Sequence, residues 1–315
     1  MRLRSRNSSE RRSRVPDIAE IRRIRAENPA LVGQTLRERR RRALLGDDGR
    51  LFIIAADHPA RGSLGVGARR FAMGSRVALL ERLAIALERP GVDGVLGTPD
   101  IIEDLALLGV LDDKVVVGSM NRGGLQGAAF EMDDRFTAYD VPALVRDGID
   151  LGKLLLRINL EDAGTASVLE GSAAAVSAAA AAQLPIMLEP FMSRRNGDRF
   201  VNDLSTDAVI RSIAIAAGLG DSSAYTWLKL PVVADMERVA EAATMPTLLL
   251  GGDPVTGQDE TFASWQHALT LPGMRGLVVG RSLLYPHDDD VVRAIDIAAS
   301  LVHETVAART HMRGR

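Results

Sequence analysis

The 315-residue chain contains no cysteine, which excludes disulfide bonds, thiolate metal sites and cysteine nucleophiles. Long apolar runs are also missing, since no stretch approaches the ~20 residues that a membrane-spanning helix needs. The basic N-terminus is not followed by the apolar segment of a secretion signal, so we expect a cytoplasmic protein with no membrane attachment. Hydrophobic residues make up 46% of the chain and charged residues 25%, as is typical of a soluble globular enzyme.

Lysine is almost absent. The chain has 39 basic residues, and the only lysines among them are Lys114, Lys153 and Lys229. Lys229 lies within an apolar run, residues 225–233, that has the pattern of a short buried strand. Arginine keeps its proton inside proteins, whereas a desolvated lysine can lose it and attack a carbonyl group. We therefore predict a functional role for Lys229, with a structural, ion-paired lysine as the alternative.

Charge is distributed unevenly along the chain. Residues 1–42 contain 14 arginines and 5 acidic residues, whereas the remainder contains 25 basic and 36 acidic residues. Residues 1–15 are rich in Arg and Ser without apolar periodicity, which predicts a disordered basic arm, although we do not expect it to bind nucleic acid. Residues 16–47 have a helical pattern and predict a helical extension packed across one end of a main domain, residues 48–310.

From residue 51 onward, short apolar runs alternate with helical patterns. The runs cover residues 51–57, 92–97, 115–119, 153–158, 185–190, 225–233, 246–254 and 276–281. Apolar strands that alternate with helices predict a parallel sheet covered by helices, and eight such units predict a (β/α)8 TIM barrel. A doubly wound open sheet is the alternative, but the loop at residues 62–67 lacks the G-x-G-x-x-G spacing of its usual binding loop.

Polar residues and glycines collect where these runs end, which is the catalytic end of a barrel. They are Asp57, His58, Asn121, Arg122, Arg157, Asn159, Glu189, Gly251, Gly252, Gly280 and Arg281. Side-chain alternation places Lys153 and Arg157 on one face of the fourth strand, so that either cation can lie near Lys229 and lower its pKa. Glu189, on the intervening strand, can then transfer protons.

Two glycine-containing loops follow the seventh and eighth runs, at Gly251-Gly252 and Gly280-Arg281. Glycine lets backbone N–H groups approach an anion, and these two loops commonly bind phosphate in barrels. We predict that they bind phosphate, with tight turns alone as the alternative. We expect no metal and no cofactor, because His58 is the only one of the five histidines that clearly lies at a strand end.

As a set, these residues resemble the class I aldolases of the deoxyribose-phosphate, tagatose-bisphosphate and archaeal-type fructose-bisphosphate aldolase superfamily, over roughly residues 48–305. The residues that carry the resemblance are Asp57-His58, Lys153, Glu189, the Leu228–Pro231 stretch around Lys229, Gly251-Gly252 and Gly280-Arg281. The resemblance implies a metal-independent lyase in which Lys229 forms a Schiff base with the substrate. Glu189 would be the acid/base and Asp57 would bind or polarise substrate hydroxyls. The expected substrate-binding residues are His58, Asn121, Arg122, Lys153 and Arg157.

The deoxyribose-phosphate branch has a second lysine on strand seven, where this chain has leucines at 248–250. The resemblance therefore implies a donor similar to dihydroxyacetone phosphate. The chain is also similar to an actinobacterial-type barrel group linked to sugar or inositol breakdown, which makes 2-deoxy-5-keto-gluconate 6-phosphate a candidate substrate. The alternatives are a transaldolase, a sugar-phosphate isomerase and a non-catalytic barrel that binds a sugar phosphate. We expect a phosphorylated sugar as the small-molecule partner, and a homo-oligomer.

Overall fold

The computed structural model describes residues 17–122, 124–197, 199–252 and 257–313, and for Arg199 and residues 304–313 it describes the backbone alone. The predicted disordered arm, residues 1–15, lies outside this range. A search of the described residues found no helix that is both long and apolar enough to cross a membrane.

Eight parallel strands close into a barrel. In chain order they are β1 Leu51–Ala55, β2 Gly94–Gly97, β3 Val115–Ser119, β4 Leu151–Ile158, β5 Ile186–Asn196, β7 Thr226–Pro231, β8 Thr247–Leu250 and β9 Met274–Val279. Each strand pairs with its neighbours in chain order, and β1 pairs with β9, which closes the sheet. The predicted (β/α)8 TIM barrel is thus confirmed, and the open-sheet alternative is excluded.

Helices cover the outside of the barrel. They are α3 Arg76–Glu88, α4 Pro99–Leu107, α5 Val141–Arg146, α6 Gly164–Ala181, α7 Thr206–Ala217, α8 Met236–Glu241, α9 Gln258–Ala268, α10 Arg281–Leu284 and α11 Val291–Arg313. A one-turn 3-10 helix, His58–Arg61, follows β1. The apolar core has two parts, one between the strands and the helices and a smaller one inside the barrel. This division follows from the strand period, because alternate residues of each strand face outward and inward.

An N-terminal helical segment precedes the barrel. Its helices are α1 Ile18–Glu27 and α2 Ala30–Glu38, and α2 packs against α4. The chain then runs past the N-terminal ends of the strands, where Arg39 and Arg41 both pair with Asp150, the residue before β4, at 2.8 and 2.7 Å. Leu44 and Leu45 pack against the core inside the barrel. This segment therefore covers the barrel at the end opposite to the predicted site; the domain boundaries themselves stay a prediction.

The fifth strand extends beyond the apolar run that predicts it. That run covers residues 185–190, and the polar residues after it predict a loop to about residue 204. In the structure β5 instead continues to Asn196 and pairs with an antiparallel strand, β6 Arg199–Asn202. The chain turns at Gly197, whose φ of 59° favours glycine. The arms of this hairpin are too short and too polar for their alternation to stand out from a loop. Its residues Val201 and Asn202 line the cavity described below.

Candidate active site

Three strands project charged side chains into the barrel, each directly above an apolar layer. The apolar layer includes Leu151, Met187 and Trp227. Two residues further along the same strands come Lys153, Glu189 and Lys229. Because residues i and i+2 of a strand lie on the same face, the three charged side chains share the barrel interior. The sequence pattern around Lys229 thus arises because a buried strand carries one polar position at its C-terminal end.

The charged side chains form a continuous chain of contacts. The Glu189 carboxylate lies between two ammonium groups, with Oε2 2.6 Å from Lys153 Nζ and Oε1 3.1 Å from Lys229 Nζ. Lys153 Nζ also donates to Asp57 Oδ2 at 2.8 Å. Both lysine side chains are only 3% exposed. We call Asp57, Lys153, Glu189 and Lys229 the lysine–carboxylate chain.

The two lysines differ in their electrostatic environment. Burial lowers the pKa of Lys229; Glu189 opposes this effect, and the charge of Lys153 adds to it, so that the pKa lies below its ordinary value. Burial acts on Lys153 in the same direction, but the charges of Asp57 and Glu189 outweigh it and raise the pKa of Lys153. Lys153 is therefore a stable cation, and Lys229 is the lysine that loses its proton more easily.

The acidic members of the site are ionised. Burial alone would raise the pKa of Asp57 and of Glu189, but the neighbouring lysines hold both pKa values below the ordinary range. Burial is the main reason why the pKa of His58 falls to about 3, which leaves its imidazole neutral near pH 7. Asp57 Oδ1 and His58 Nδ1 are buried and lie 3.5 Å from each other, and neither forms a hydrogen bond among the described residues. Both residues line the cavity, so these atoms can bond a ligand there.

A cavity of about 570 Å³ opens above the lysine–carboxylate chain. Among the predicted site residues, it is lined by Asp57, His58, Arg122, Lys153, Glu189, Lys229, Gly251, Gly252, Gly280 and Arg281. Its size suits a small metabolite, and its polar groups converge from several strand ends, as in other barrel sites.

Two predicted site residues do not line this cavity. The side chain of Asn121 bonds the backbone of Leu155 in both directions, donating to its carbonyl at 2.8 Å and accepting from its N–H at 2.9 Å. Arg157 pairs with Glu131 at 2.8 Å, and both of their side chains are 5% exposed. Of the two cations predicted to lie near Lys229, Lys153 is the one that shares its carboxylate. Substrate-binding roles for Asn121 and Arg157 stay predictions.

The glycine loops have a packing role of their own. A Cβ on Gly280 would come 2.1 Å from the carbonyl oxygen of Ala55, and one on Gly251 would come 2.5 Å from Val279. Gly252 has a φ of 65° and is exposed. Glycine is therefore required for the close approach of β8 and β9 to their neighbours, and this requirement is independent of phosphate binding.

Arg61 and Glu131 were missed by the sequence analysis. Arg61 ends the one-turn helix after β1, which is too short for any periodicity, and it lines the cavity. Glu131 lies in the long segment between β3 and α5, where no pattern marked it. Within the described residues, no group of three or more His, Asp or Glu side chains could hold a metal ion.

Solved structures with a similar fold include one of high and several of low sequence identity to this chain. Cgl0159 from Corynebacterium glutamicum is 67% identical, covers 91% of this chain and 97% of its own, and superposes with a TM-score of 0.89. An archaeal fructose 1,6-bisphosphate aldolase is 18% identical, covers 87% of this chain and 99% of its own, and has a TM-score of 0.60. The fructose-bisphosphate aldolase from Slackia heliotrinireducens is 16% identical, covers 93% and 90% of the two chains, and also has a TM-score of 0.60.

The chain therefore shares the barrel fold of these two fructose-bisphosphate aldolases, as the resemblance seen in the sequence predicts. A search of the curated proteins found no match. The model of the Cgl0159-like family matches residues 49–299, which is most of the sequence, and the chain therefore belongs to the Cgl0159-like family.

Proposed function

We propose that this protein is a metal-independent class I aldolase that cleaves a phosphorylated keto sugar or sugar acid through a Schiff base on Lys229. One observation carries the proposal: a buried lysine with a lowered pKa lies at the wall of a cavity, 3.1 Å from an ionised carboxylate. A perturbed lysine beside a general base in a cleft is the arrangement that Schiff-base catalysis needs. The expected pathway is the breakdown of sugars or of inositol.

The reaction begins with neutral Lys229. Its Nζ lone pair attacks the substrate ketone, a C–N bond forms, and the carbonyl oxygen takes up a proton to give a carbinolamine. Loss of water then gives an iminium ion. The adjacent C–C bond breaks, its electron pair moves onto the iminium to form an enamine, and the hydroxyl proton of the departing aldehyde goes to Glu189. Protonation of the enamine carbon and hydrolysis of the imine release the ketone product and regenerate the lysine.

The lysine–carboxylate chain supports this assignment of roles. Lys153, held by two carboxylates, stays charged and is a poor nucleophile, but its charge favours the neutral form of Lys229. The unpartnered Oδ1 of Asp57 can accept a hydrogen bond from a substrate hydroxyl. Gly251, Gly252, Gly280 and Arg281 line the same cavity and supply backbone N–H groups and a guanidinium for the substrate phosphate.

Borohydride trapping tests the proposal. The protein is incubated with a panel of phosphorylated keto sugars, reduced with borohydride and digested, and the peptides are analysed by mass spectrometry. We expect a reduced adduct on Lys229 and no turnover from Lys229→Arg, whose guanidinium cannot form an imine. Lys114→Arg is the matched control, because Lys114 donates to the Val92 carbonyl at the other end of the barrel.

The same experiment separates the alternatives. An isomerase or a sugar-phosphate-binding barrel gives no reduced adduct, whereas a transaldolase gives one but releases its three-carbon unit only to an acceptor sugar. An adduct on Lys153, or full activity of Lys229→Arg, would refute the assignment of the nucleophile.

A further inference from the structure

An apolar layer lies directly above the charged positions of β4, β5 and β7. Two residues beyond those positions, the same three strands carry Leu155, Phe191 and Pro231. Strand alternation turns these side chains toward the barrel interior, like the charged ones below them. All three residues line the cavity, and Leu155 and Phe191 are 6% and 5% exposed. A ligand that reaches the lysine–carboxylate chain therefore contacts apolar side chains on this side.

The β5–β6 hairpin extends this apolar surface toward the mouth of the cavity. Val201 on β6, Leu204 after it and Val232 after β7 line the same cavity, and Leu204 is 55% exposed. A large apolar side chain left exposed at a cavity is a surface on which an apolar group can pack. We call this surface the apolar wall, and its members are Leu155, Phe191, Val201, Leu204, Pro231 and Val232.

Polar groups of the cavity are concentrated on other sides. Asp57, His58 and Arg61 follow β1, Arg122 follows β3, and the glycine loops follow β8 and β9. Around the barrel β1 lies opposite to β5, because four strand-to-strand steps separate the two in each direction. The cavity thus has a hydrophilic side and an apolar side.

One polar side chain interrupts the apolar wall among the residues that the structure describes. It is Asn202 on β6, which lines the cavity and whose Oδ1 accepts a hydrogen bond from the Ser193 hydroxyl at 3.0 Å. A chain of several hydroxyl groups placed against this wall would give up hydrogen bonds with water and regain few of them, which is costly. Methylene and methyl groups would instead gain from burial there.

The proposed chemistry decides which part of the substrate meets the apolar wall. Lys229 would hold the ketone carbon, and Glu189 would take the hydroxyl proton of the departing aldehyde. The aldehyde half therefore lies beside β5, where Phe191 is the next inward-facing residue after Glu189. With the phosphate in the glycine loops after β8 and β9, the remaining carbon atoms of the aldehyde half extend along the apolar wall.

We propose that the aldehyde half of the substrate carries an apolar group, an alkyl chain or a run of deoxygenated carbon atoms, which packs against the apolar wall. The preferred substrate is then a phosphorylated keto compound that lacks hydroxyl groups beyond the carbon atom that becomes the aldehyde. This inference rests on the proposed function and specifies its substrate class. Fully hydroxylated aldehydes of the same length should be poorer partners.

Calorimetric titration with two ketone-free ligands measures the preference without turnover. The ligands are hexitol 1-phosphate and 5,6-dideoxyhexitol 1-phosphate, which have the same chain length, the same phosphate and the same hydroxyl groups on carbons 2 to 4. We expect the dideoxy ligand to bind roughly 10-fold tighter to the wild type, because its two terminal carbon atoms are buried against apolar side chains.

The double variant Val201→Thr with Leu204→Gln makes the outer part of the apolar wall polar and leaves the lysine–carboxylate chain unchanged. It should reduce the advantage of the dideoxy ligand to less than about threefold, since part of the apolar contact is lost. The control is Val145→Thr with Val292→Gln, two exposed positions on α5 and α11, which should behave as wild type. Thermal melts establish that both variants are folded.

Three results overturn the proposal: equal or weaker binding of the dideoxy ligand to the wild type, no binding of either ligand, or an advantage that survives in the Val201→Thr, Leu204→Gln variant. Borohydride trapping on Lys229 with a phosphorylated keto sugar is measured separately and reports on the aldolase reaction alone. An adduct on Lys229 without a dideoxy preference refutes the apolar subsite only, whereas the preference without any adduct refutes the aldolase chemistry only.

Discussion

Lys153 and Lys229 are the same residue type, point into the same barrel and contact the same carboxylate, yet their pKa values shift in opposite directions. The difference lies in the number of anions each one contacts. Lys153 contacts both Asp57 and Glu189, whereas Lys229 contacts Glu189 alone. One carboxylate does not offset burial in an apolar barrel, and two do. The proposal that Lys229 is the nucleophile rests on this arrangement of neighbouring charges.

Lys153→Met should move the pH dependence of imine formation. In the proposed mechanism imine formation needs neutral Lys229, so its rate rises as pH rises through the pKa of Lys229. Removal of the Lys153 charge takes away a cation that lowers this pKa and leaves Glu189 to Lys229 alone, so the acid limb should move to higher pH by about one unit. The measurement is the rate of borohydride trapping between pH 5 and 9. A limb that stays in place, or that moves to lower pH, would contradict the assigned role of Lys153.

Arg281→Ala should weaken binding of a phosphorylated substrate selectively. A guanidinium–phosphate contact contributes roughly 10- to 100-fold in affinity, whereas a dephosphorylated analogue gains nothing from it. We expect the KM for the phosphorylated substrate to rise by that factor, with kcat much less affected. Steady-state kinetics with the two substrates measure the effect. Equal losses for both substrates would show that Arg281 acts on the shape of the site and not on the phosphate.

At the residue scale, most of the residues that the sequence predicts for the site lie together around one cavity, but which lysine contacts which carboxylate was not predicted. Lys229 stood out because lysine is rare in this chain and because its strand is otherwise apolar. Glu189 and Asp57 stood out by ending apolar runs. Which lysine holds two carboxylates depends on the register between β1, β4, β5 and β7, and a single sequence does not encode this register in any local pattern. The same reason explains why Arg61 was missed and why the amide of Asn121 was not expected to be used by the backbone.

At the scale of elements, glycines allow neighbouring strands to approach. A Cβ at Gly94 on β2 would lie 2.0 Å from the carbonyl oxygen of Val115 on β3, which is a backbone atom that cannot move aside. Gly94→Ala should therefore lower the free energy of unfolding by about 3 kcal/mol, a cost at the upper end for overpacking. Gly218→Ala is the control, since its Cβ would meet only an ordinary contact at 3.7 Å. Urea unfolding of both variants measures the difference in the free energy of unfolding. Equal stability of the two variants would show that β2 and β3 can move apart at no cost in free energy.

The last helix is anchored to the barrel by an ion-pair cluster. His303 on α11 contacts Asp48 at 2.5 Å, the Gly91 carbonyl at 2.9 Å and Asp93 at 3.4 Å. Hydrogen bonding to Asp93 and Asp48 outweighs burial and raises the pKa of His303 from its ordinary 6.5 to about 9. A raised pKa in the folded state means that protonation stabilises the fold.

The contribution of His303 to stability is fully present below pH 6.5 and is lost as pH rises through about 9. We expect the free energy of unfolding to fall across this window in the wild type. His303→Gln keeps the hydrogen-bonding shape but removes the titrating charge, so it should flatten the decline. Urea unfolding at half-unit pH intervals tests this, and a His303→Gln profile parallel to that of wild type would refute the role of the cluster.

Strands and helices were predictable from the sequence where the apolar pattern is regular over the whole element. All eight apolar runs became barrel strands, because each combines branched apolar residues with a length that fits a buried strand. The β5–β6 hairpin was not predicted, because its arms beyond the barrel are short and polar and its partner strand has only four residues. Its stability comes from tertiary contacts, such as Arg195 over the ring of Phe200 at 4.5 Å, which no local pattern reveals.

At the scale of the whole molecule, the two ends of the barrel have different roles. The C-terminal ends of the strands hold the lysine–carboxylate chain and the cavity. At the N-terminal ends, Arg39, Arg41 and the backbone N–H of Val116 all bond to Asp150. Barrels commonly separate function and stability in this way, because loops at one end can vary while the other end keeps the strands together.

Two substitutions should separate these roles. Asp150→Asn leaves the buried Arg39 guanidinium, 3% exposed, without its anion, and should lower the free energy of unfolding by about 3 kcal/mol. The folded fraction should keep its kcat, because the change lies at the far end of the barrel.

Lys229→Met should have the opposite effects. Turnover is abolished, yet the free energy of unfolding stays the same or rises by about 1 kcal/mol, since an apolar side chain replaces a buried amine. Glu189 keeps its contact with Lys153 at 2.6 Å and is not left unpaired. Urea unfolding and kinetics on the same two preparations measure both quantities. A Lys229→Met variant that is strongly destabilised would show that this lysine is a structural ion-pair partner, which is the alternative that its strand pattern alone left open.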